Sequence, residues 1–306
     1  MTVSQTYREG ELTLPHVNLR NAVVVITGGA RGIGRATAAA FAERGARVVI
    51  GDLDEQAAKE AAAAIGRGAS GHGLDVSSQT SYERFVAAVH DEAGAIDVLV
   101  NNAGIMPVGT FTEGELASVR ATIDINLWGV ILGCHIVLPG MLERRRGQII
   151  NIASVLGRVA GGGVAAYSAS KFGVVGFTHA LQQELHGSGV TASVVLPGVV
   201  RTELSSGVPE RGVPISDPST VAAAIVQAGL AAKPEVTVPA WSGALMRTLA
   251  LLPPRLRQPF LRATDYDRAM RGVDTRQRAG YRDRLAKTIG ASSDFALKTQ
   301  DEDDNR

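Results

Sequence analysis

Tyr167 and Lys171 stand four residues apart in the stretch Tyr167-Ser168-Ala169-Ser170-Lys171, a spacing that puts two side chains on one face of a helix. An ammonium beside a phenol favours the phenolate and draws its pKa below the ordinary value of about 10. A phenol tuned that way can give a proton to an alcohol oxygen, or take one from it, near neutral pH. An isolated Tyr-x-x-x-Lys is more often a plain surface pair. Ser154 alters that reading, because it directly follows an apolar strand over 148–152. In a parallel sheet, strand ends of one polarity converge on a single edge, so Ser154 shares a rim with the other strand-end loops.

One of those loops is Thr27-Gly28-Gly29-Ala30-Arg31-Gly32-Ile33-Gly34. Gly28, Gly32 and Gly34 let the backbone turn sharply and let a phosphate approach without interference from a Cβ. Amides of the helix opening near Gly32 then point at the anion. The spacing is GxxxGxG rather than GxGxxG, and a glycine triplet alone also suits a tight strand–helix turn. Asp52 lies 18 residues beyond Gly34, at the end of the second strand. A carboxylate there accepts hydrogen bonds from both hydroxyls of an adenosine ribose and repels the 2′-phosphate of NADP. Asp54 serves as cap of the next helix, which frees Asp52 for the ribose. Arg31 pulls the other way, since its guanidinium can hold a 2′-phosphate. The balance favours NAD, with NADP as the alternative.

The elements that must position these groups alternate along the chain. Apolar, β-branched runs over 22–27, 47–50, 71–74, 96–100, 148–152 and 190–196 are separated by helical patterns over 32–44, 54–66, 82–92, 115–142 and 164–186. Each strand is a continuous apolar run, the pattern of strands buried on both faces. The expected fold is therefore α/β, a doubly wound parallel sheet of Rossmann type with helices on both faces. Residues 1–20 read as an N-terminal extension, 21–240 as the dinucleotide-binding and catalytic domain, and 241–306 as an appended helical, basic segment with a disordered acidic end.

With these motifs in order, the sequence resembles the short-chain dehydrogenase/reductase family from about residue 21 to 239. The resemblance rests on the 27–34 turn, Asp75-Val76, Asn101-Asn102-Ala103-Gly104, Asn126, Ser154, Tyr167-x-x-x-Lys171, and Pro197-Gly198 followed by Thr202. It implies that Tyr167 is the catalytic acid/base and that Lys171 binds the nicotinamide ribose while lowering the Tyr167 pKa. Ser154 would hydrogen-bond the substrate oxygen, and Asn126 would hold a water relaying protons from Lys171. Besides Gly28, Arg31, Gly32, Ile33, Gly34 and Asp52, the implied cofactor contacts are Asp75 and Val76 at the adenine and Asn102, Ala103 and Gly104 along the cofactor. Pro197, Gly198, Val200 and Thr202 would lie at the nicotinamide. The implied reaction exchanges a hydride between NAD(H) and a secondary alcohol or ketone. An NADPH-dependent carbonyl reductase and a non-catalytic dinucleotide sensor are the competing readings. The presence of Ser154, Tyr167 and Lys171 together argues against the sensor. The resemblance also implies a homo-oligomer, dimer or tetramer.

Composition narrows the field further. The 306 residues carry 31 Lys and Arg against 30 Asp and Glu, a net charge of +1, so neither a nucleic-acid coat protein nor an acidic disordered chain is indicated. The single cysteine, Cys134, excludes an intramolecular disulfide and fits a reducing cytoplasm; on its apolar helix it reads as packing. The six histidines are scattered, so no metal is expected. No leader peptide and no run of about 20 apolar residues is read from the sequence. Between Gly243 and Gly290, eleven Lys and Arg face four Asp and Glu. There Trp241, Leu245, Leu249 and Leu252 form one helical face ended by Pro253-Pro254, followed by Arg255, Arg257, Arg262, Arg268 and Arg271. That face is expected to act as a lid over the substrate cleft or as a subunit interface, with peripheral membrane contact as the less favoured reading. Substrate contacts are implied after Gly104, over 154–163 and over 205–217. Their small residues point to an open, apolar pocket for a bulky hydrophobic (alicyclic, aromatic, steroid-like or retinoid-like) alcohol or ketone.

Overall fold

The computed structural model describes residues 18–208, 214–253, 255–256, 259, 273–274 and 276–290. From β1 (Val23–Thr27) the chain runs through α1 (Gly32–Glu43), β2 (Arg47–Asp52), α2 (Glu55–Ile65), β3 (Ser70–Gly73), α3 (Gln79–Ala93) and β4 (Val98–Asn101). It continues through α4 (Leu116–Ile123), a π-helical turn (Asp124–Trp128), α5 (Gly129–Glu143), β5 (Gly147–Ile152), α6 (Ala165–Glu184) and β6 (Val190–Pro197). Two short strands, β7 (Val199–Val200) and β8 (Ile215–Ser216), precede α7 (Pro218–Ala231), β9 (Glu235–Val238) and α8 (Ala240–Leu251). A last helix, α9, covers residues 279–290.

Seven strands form one parallel sheet in the order β3-β2-β1-β4-β5-β6-β9. Their apolar runs are explained by burial from both sides. Val23 and Val25 of β1 pack with α3, α5 and α6, through residues such as Phe85, Leu132 and Val174. Val24 and Ile26, pointing the opposite way, pack with α1, α2 and α7, through Phe41, Ala58 and Ile225. Strand order reverses on the two sides of β1, so the loops after β1 and β4 diverge and open a crevice at the carboxyl edge.

Helix punctuation follows the side chains available. Asp54 accepts the Ala57 N–H at 3.0 Å to cap α2, and Ser78 accepts the Ser81 N–H to cap α3. α1, in contrast, opens behind Arg31 with no side-chain cap. The amides of its first turn are left facing the crevice, where an anion can take them.

The sequence reading missed α7 and β9; the short strand Glu235–Val238 is only half-buried and sits at the sheet edge, so it lacks the continuous apolar run of the others. The apolar run Leu116–Glu143 is long and apolar enough to cross a bilayer by length and composition, contrary to the sequence expectation, but over half of its apolar window is buried in the fold. It is interrupted at Asp124–Trp128 by the π turn. The face drawn through Trp241, Leu245, Leu249 and Leu252 is also corrected. α8 packs on β9, burying Ser242, Gly243 and Leu249, while Trp241 is 56% exposed. Gly243 permits this approach, since a Cβ there would lie 2.4 Å from Thr237 Oγ1. Residues 1–17 and the acidic stretch 301–304 lie outside the described residues, as do Arg257, Arg262, Arg268 and Arg271.

Candidate active site

The carboxyl edge of the sheet carries a cleft lined from β1 to α9, and most of the residues singled out in the sequence meet in it. Gly28, Arg31, Gly32, Ile33, Asp52, Asp75, Val76, Asn102, Ala103 and Gly104 line its outer part. Ser154, Tyr167, Lys171, Pro197, Gly198, Val200 and Thr202 line its inner part. Gly34 and Asn126 do not line the cleft; they shape it from behind.

The glycine turn is built by close approach. Gly28 has φ +61°, and a Cβ there would come 2.8 Å from Ala103 Cα. A Cβ on Gly34 would lie 2.2 Å from the Gly28 carbonyl oxygen and 2.6 Å from Asn102 Nδ2. Gly34 therefore serves helix–strand packing rather than phosphate access, a correction to the sequence reading. Asn102 locks the turn, donating through Nδ2 to the carbonyls of Thr27 and Gly28, both at 3.0 Å. Thr27 Oγ1 in turn accepts the N–H groups of Asn102 and Ala103.

At the end of β2, Asp52 accepts the Ala30 N–H on Oδ2 at 3.1 Å and the Asp54 N–H on Oδ1 at 3.2 Å. Burial raises its pKa, and the two backbone donors oppose that rise. A carboxylate has about four acceptor positions, so both oxygens keep capacity for a ligand's hydroxyls. Arg31 is drawn to Asp54 at 2.8 Å and also feels Asp52 and Glu203. With its guanidinium already paired and a surplus of carboxylates around it, this rim is a poor host for an extra phosphate. Asp75 is partly occupied as well, accepting Ser77 N and Oγ on Oδ1.

Tyr167 and Lys171 ride on the buried stripe of α6, together with Ser170, Val174, Val175 and Thr178. Ser154 follows β5, accepts the Leu156 N–H at 3.1 Å and donates to the Pro197 carbonyl at 3.4 Å. Ser154 also faces Tyr167 closely enough to favour the phenolate. Lys171 Nζ lies 5.6 Å from the Tyr167 ring centroid and donates to the Ile152 carbonyl at 2.8 Å. Burial pushes Tyr167 up to about 12, with Ser154 pulling the other way, and pushes Lys171 down to about 8. The sequence argument expected the ammonium to lower the phenol. Desolvation by burial decides the direction for both groups instead.

Asn126 sits in the π turn and is completely buried. The inserted residue of such a turn rotates the side chain off the regular helix face. Its Oδ1 accepts the Ile105 N–H at 2.8 Å, and its Nδ2 donates to Ile105 O at 2.9 Å and Ser170 Oγ at 3.1 Å. The side chain is thus a clamp between the loop after β4 and α6, and its Oδ1, which accepts one hydrogen bond, keeps a second acceptor position. Lys171 Nζ and Asn126 Oδ1 flank one point, 3.6 and 3.2 Å from where a Gly104 Cβ would be. Cys134 packs beneath the sheet beside Asn101 and Asn151, its thiol pushed up to about 12 by burial. Among the described residues, no three His, Cys, Asp or Glu side chains are grouped to hold a metal.

The sequence reading missed the cleft's outer cover. Tyr281, Arg284, Leu285 and Thr288 of α9 line the cleft, whereas no described residue of α8 does. The signal was present as an i, i+3, i+7 repeat of Arg278, Tyr281 and Leu285, but it was hidden by the surrounding arginines. Arg278 is 4% exposed and donates to the carbonyls of Leu204, Ser206 and Met106.

Comparisons with known proteins agree with this geometry. The family model described as short chain dehydrogenase matches residues 22–211. The chain belongs to that family, and it is an oxidoreductase acting on CH–OH and keto groups. A 3-oxoacyl-[acyl-carrier-protein] reductase FabG from Vibrio cholerae is 36% identical over 62% of this chain and 78% of its own length. D-threitol dehydrogenase from Mycolicibacterium smegmatis is 43% identical over 60% of this chain and 71% of its own. A crystal structure of a short chain dehydrogenase/reductase from Burkholderia phymatum in complex with NAD superposes with a TM-score of 0.70 at 25% identity, covering 75% of this chain and 93% of the other.

Proposed function

We propose that the protein interconverts a secondary alcohol and a ketone with NAD(H), using Ser154, Tyr167 and Lys171 as its proton-handling set. The observation that carries this reading is the buried Tyr167 phenol, with Ser154 beside it and Lys171 Nζ 5.6 Å from its ring, in the same cleft as the glycine turn. A nicotinamide dinucleotide, when bound, supplies the hydride acceptor or donor. The uncapped start of α1 and the glycine-walled turn suit its pyrophosphate, and Asp52 with its spare acceptor positions suits the adenosine ribose. Asp75 and Val76 would border the adenine, and Pro197, Gly198, Val200 and Thr202 the nicotinamide.

In reduction, Tyr167 is already the proton donor that the ketone oxygen needs, since burial keeps its phenol protonated at neutral pH. In oxidation, Tyr167 must first lose its proton. Lys171 then stabilises the phenolate across one helical turn, and the Ser154 hydroxyl steadies charge developing on the substrate oxygen. Asn126 acts as a positioning residue, fixing the loop after β4 against α6. Ile105, Met106, Leu156, Leu204 and Val208 surround the inner cleft, which supports a hydrophobic substrate. The named relatives, one acting on a carrier-bound 3-oxoacyl group and one on a polyol, do not by themselves choose it. A cytoplasmic homo-oligomer completes the reading.

The test is Tyr167→Phe in the purified full chain. Turnover of alcohols with NAD is expected to be lost, with NADH binding held within about twofold. A variant that kept the wild-type rate would refute the mechanism, and tighter binding of NADPH than NADH would refute the role of Asp52.

A further inference from the structure

The cover of the inner cleft is built around one peptide group. Met106, in the loop after β4, gives its N–H to the Tyr281 hydroxyl oxygen at 2.9 Å, and its carbonyl accepts from Arg278. The Arg278 guanidinium also reaches Leu204 O at 2.9 Å and Ser206 O at 3.0 Å, and it stacks 4.6 Å from the Tyr281 ring centroid. One arginine thus ties together the loop after β4, the segment after β7 and the start of α9. Burying a guanidinium requires such a set of acceptors, and here the set holds Arg278 against the face of the Tyr281 ring.

The Tyr281 oxygen accepts a hydrogen bond, so its own proton remains to be donated. No acceptor for it is found among the described residues. The other polar groups at this end are engaged: Thr288 Oγ1 donates to Arg284 O, Arg284 pairs with Glu203, and Ser205 Oγ donates to Val200 O. The surrounding walls are apolar, from Met106, Leu156, Leu204, Val208 and Leu285. Tyr281 and Tyr167 lie near enough that ionising one opposes ionising the other.

We propose that Tyr281 is a specificity-determining residue whose hydroxyl donates to a second oxygen of the substrate, so that the preferred substrate is an apolar alcohol or ketone carrying another carbonyl or hydroxyl away from the reacting carbon. Arg278 is the positioning residue that holds Tyr281 in place. This inference rests on the oxidoreductase reading above and deepens it.

The probes are a matched pair of bicyclic ketones, a decalone and a decalindione, reduced by the full-length protein with NADH. A hydrogen bond made to one probe and not the other is worth about tenfold in kcat/KM. Wild type is expected to prefer the dione by about that factor, and Tyr281→Phe to bring the ratio of the two kcat/KM values close to one. Because both ketones are measured on the same variant, a general loss of activity cancels from the ratio. Arg278→Lys keeps the charge but cannot reach three carbonyls in one plane, and it is expected to lower the same ratio. A wild-type ratio near one would overturn the proposal, as would a ratio that survives in Tyr281→Phe, including one that survives while both rates fall. Failure of wild type to reduce either ketone with NADH or NADPH would count against the oxidoreductase reading and take this inference with it.

Discussion

Replacing Lys171 with methionine is expected to make the protein more stable while removing its activity. Lys171 is 3% exposed and its only described hydrogen-bond partner is the Ile152 carbonyl. Its pKa falls from an ordinary 10.5 to about 8 on burial. The folded-state value is the lower one, so the native protein carries an ammonium it would more readily shed. The gap corresponds to about 3 kcal/mol against folding. That cost is complete below pH 8 and fades as the pH rises toward 10.5, where the amine is neutral in both states. Methionine matches the length of the lysine stem and carries no charge. Losing the hydrogen bond to Ile152 returns about 1 kcal/mol of the gain, leaving about 2 kcal/mol at pH 7. The assay is urea unfolding of wild type and Lys171→Met without cofactor, at pH 7 and at pH 10. Titrating groups remote from Lys171 cancel in the difference between the two proteins. The advantage of the variant should shrink by about 2 kcal/mol between these pH values. An advantage that does not change with pH, or a variant less stable at pH 7 than at pH 10 relative to wild type, would refute the claim that this amine is desolvated.

Two further expectations concern the cofactor end of the cleft. Asp52→Ser removes the carboxylate that a 2′-phosphate would meet, and the ratio of NADH to NADPH affinity should shift toward NADPH by on the order of tenfold or more; an unchanged ratio would dissociate Asp52 from ribose recognition. Gly34→Ala drives a Cβ to 2.2 Å from the Gly28 carbonyl, and the forced movement of the turn should cost about 1–3 kcal/mol of stability and weaken NADH binding. Wild-type midpoints in thermal unfolding would show that the turn has slack the structure does not display.

Local chemistry made much of this protein readable before any tertiary contact was known. Continuous apolar runs such as Val23–Thr27 reported burial from both faces, and with them a parallel sheet. Tyr167 and Lys171 could be placed on one helical face by their spacing, Asp54 could be recognised as a cap, and Ser154 could be assigned to the same rim. Each of those inferences depends on a period or on a group within a few residues along the chain.

What the sequence could not supply was set by groups distant in the chain. The direction of the Tyr167 pKa depends on how thoroughly the helix buries it, and burial is a sum over every neighbour. The clamp made by Asn126 depends on a π turn that brings Ile105 and Ser170 to one amide. Trp241 lies outward because Gly243, two residues on, is the side of α8 that fits against Thr237. The placement of Arg278 and Tyr281 over the cleft requires contacts spanning more than 70 residues with Leu204 and more than 170 with Met106. Spacing along a chain encodes the face a residue shares with its near neighbours. Only the closed fold decides which distant carbonyl a buried guanidinium will find, because that choice belongs to the packing of all the elements at once.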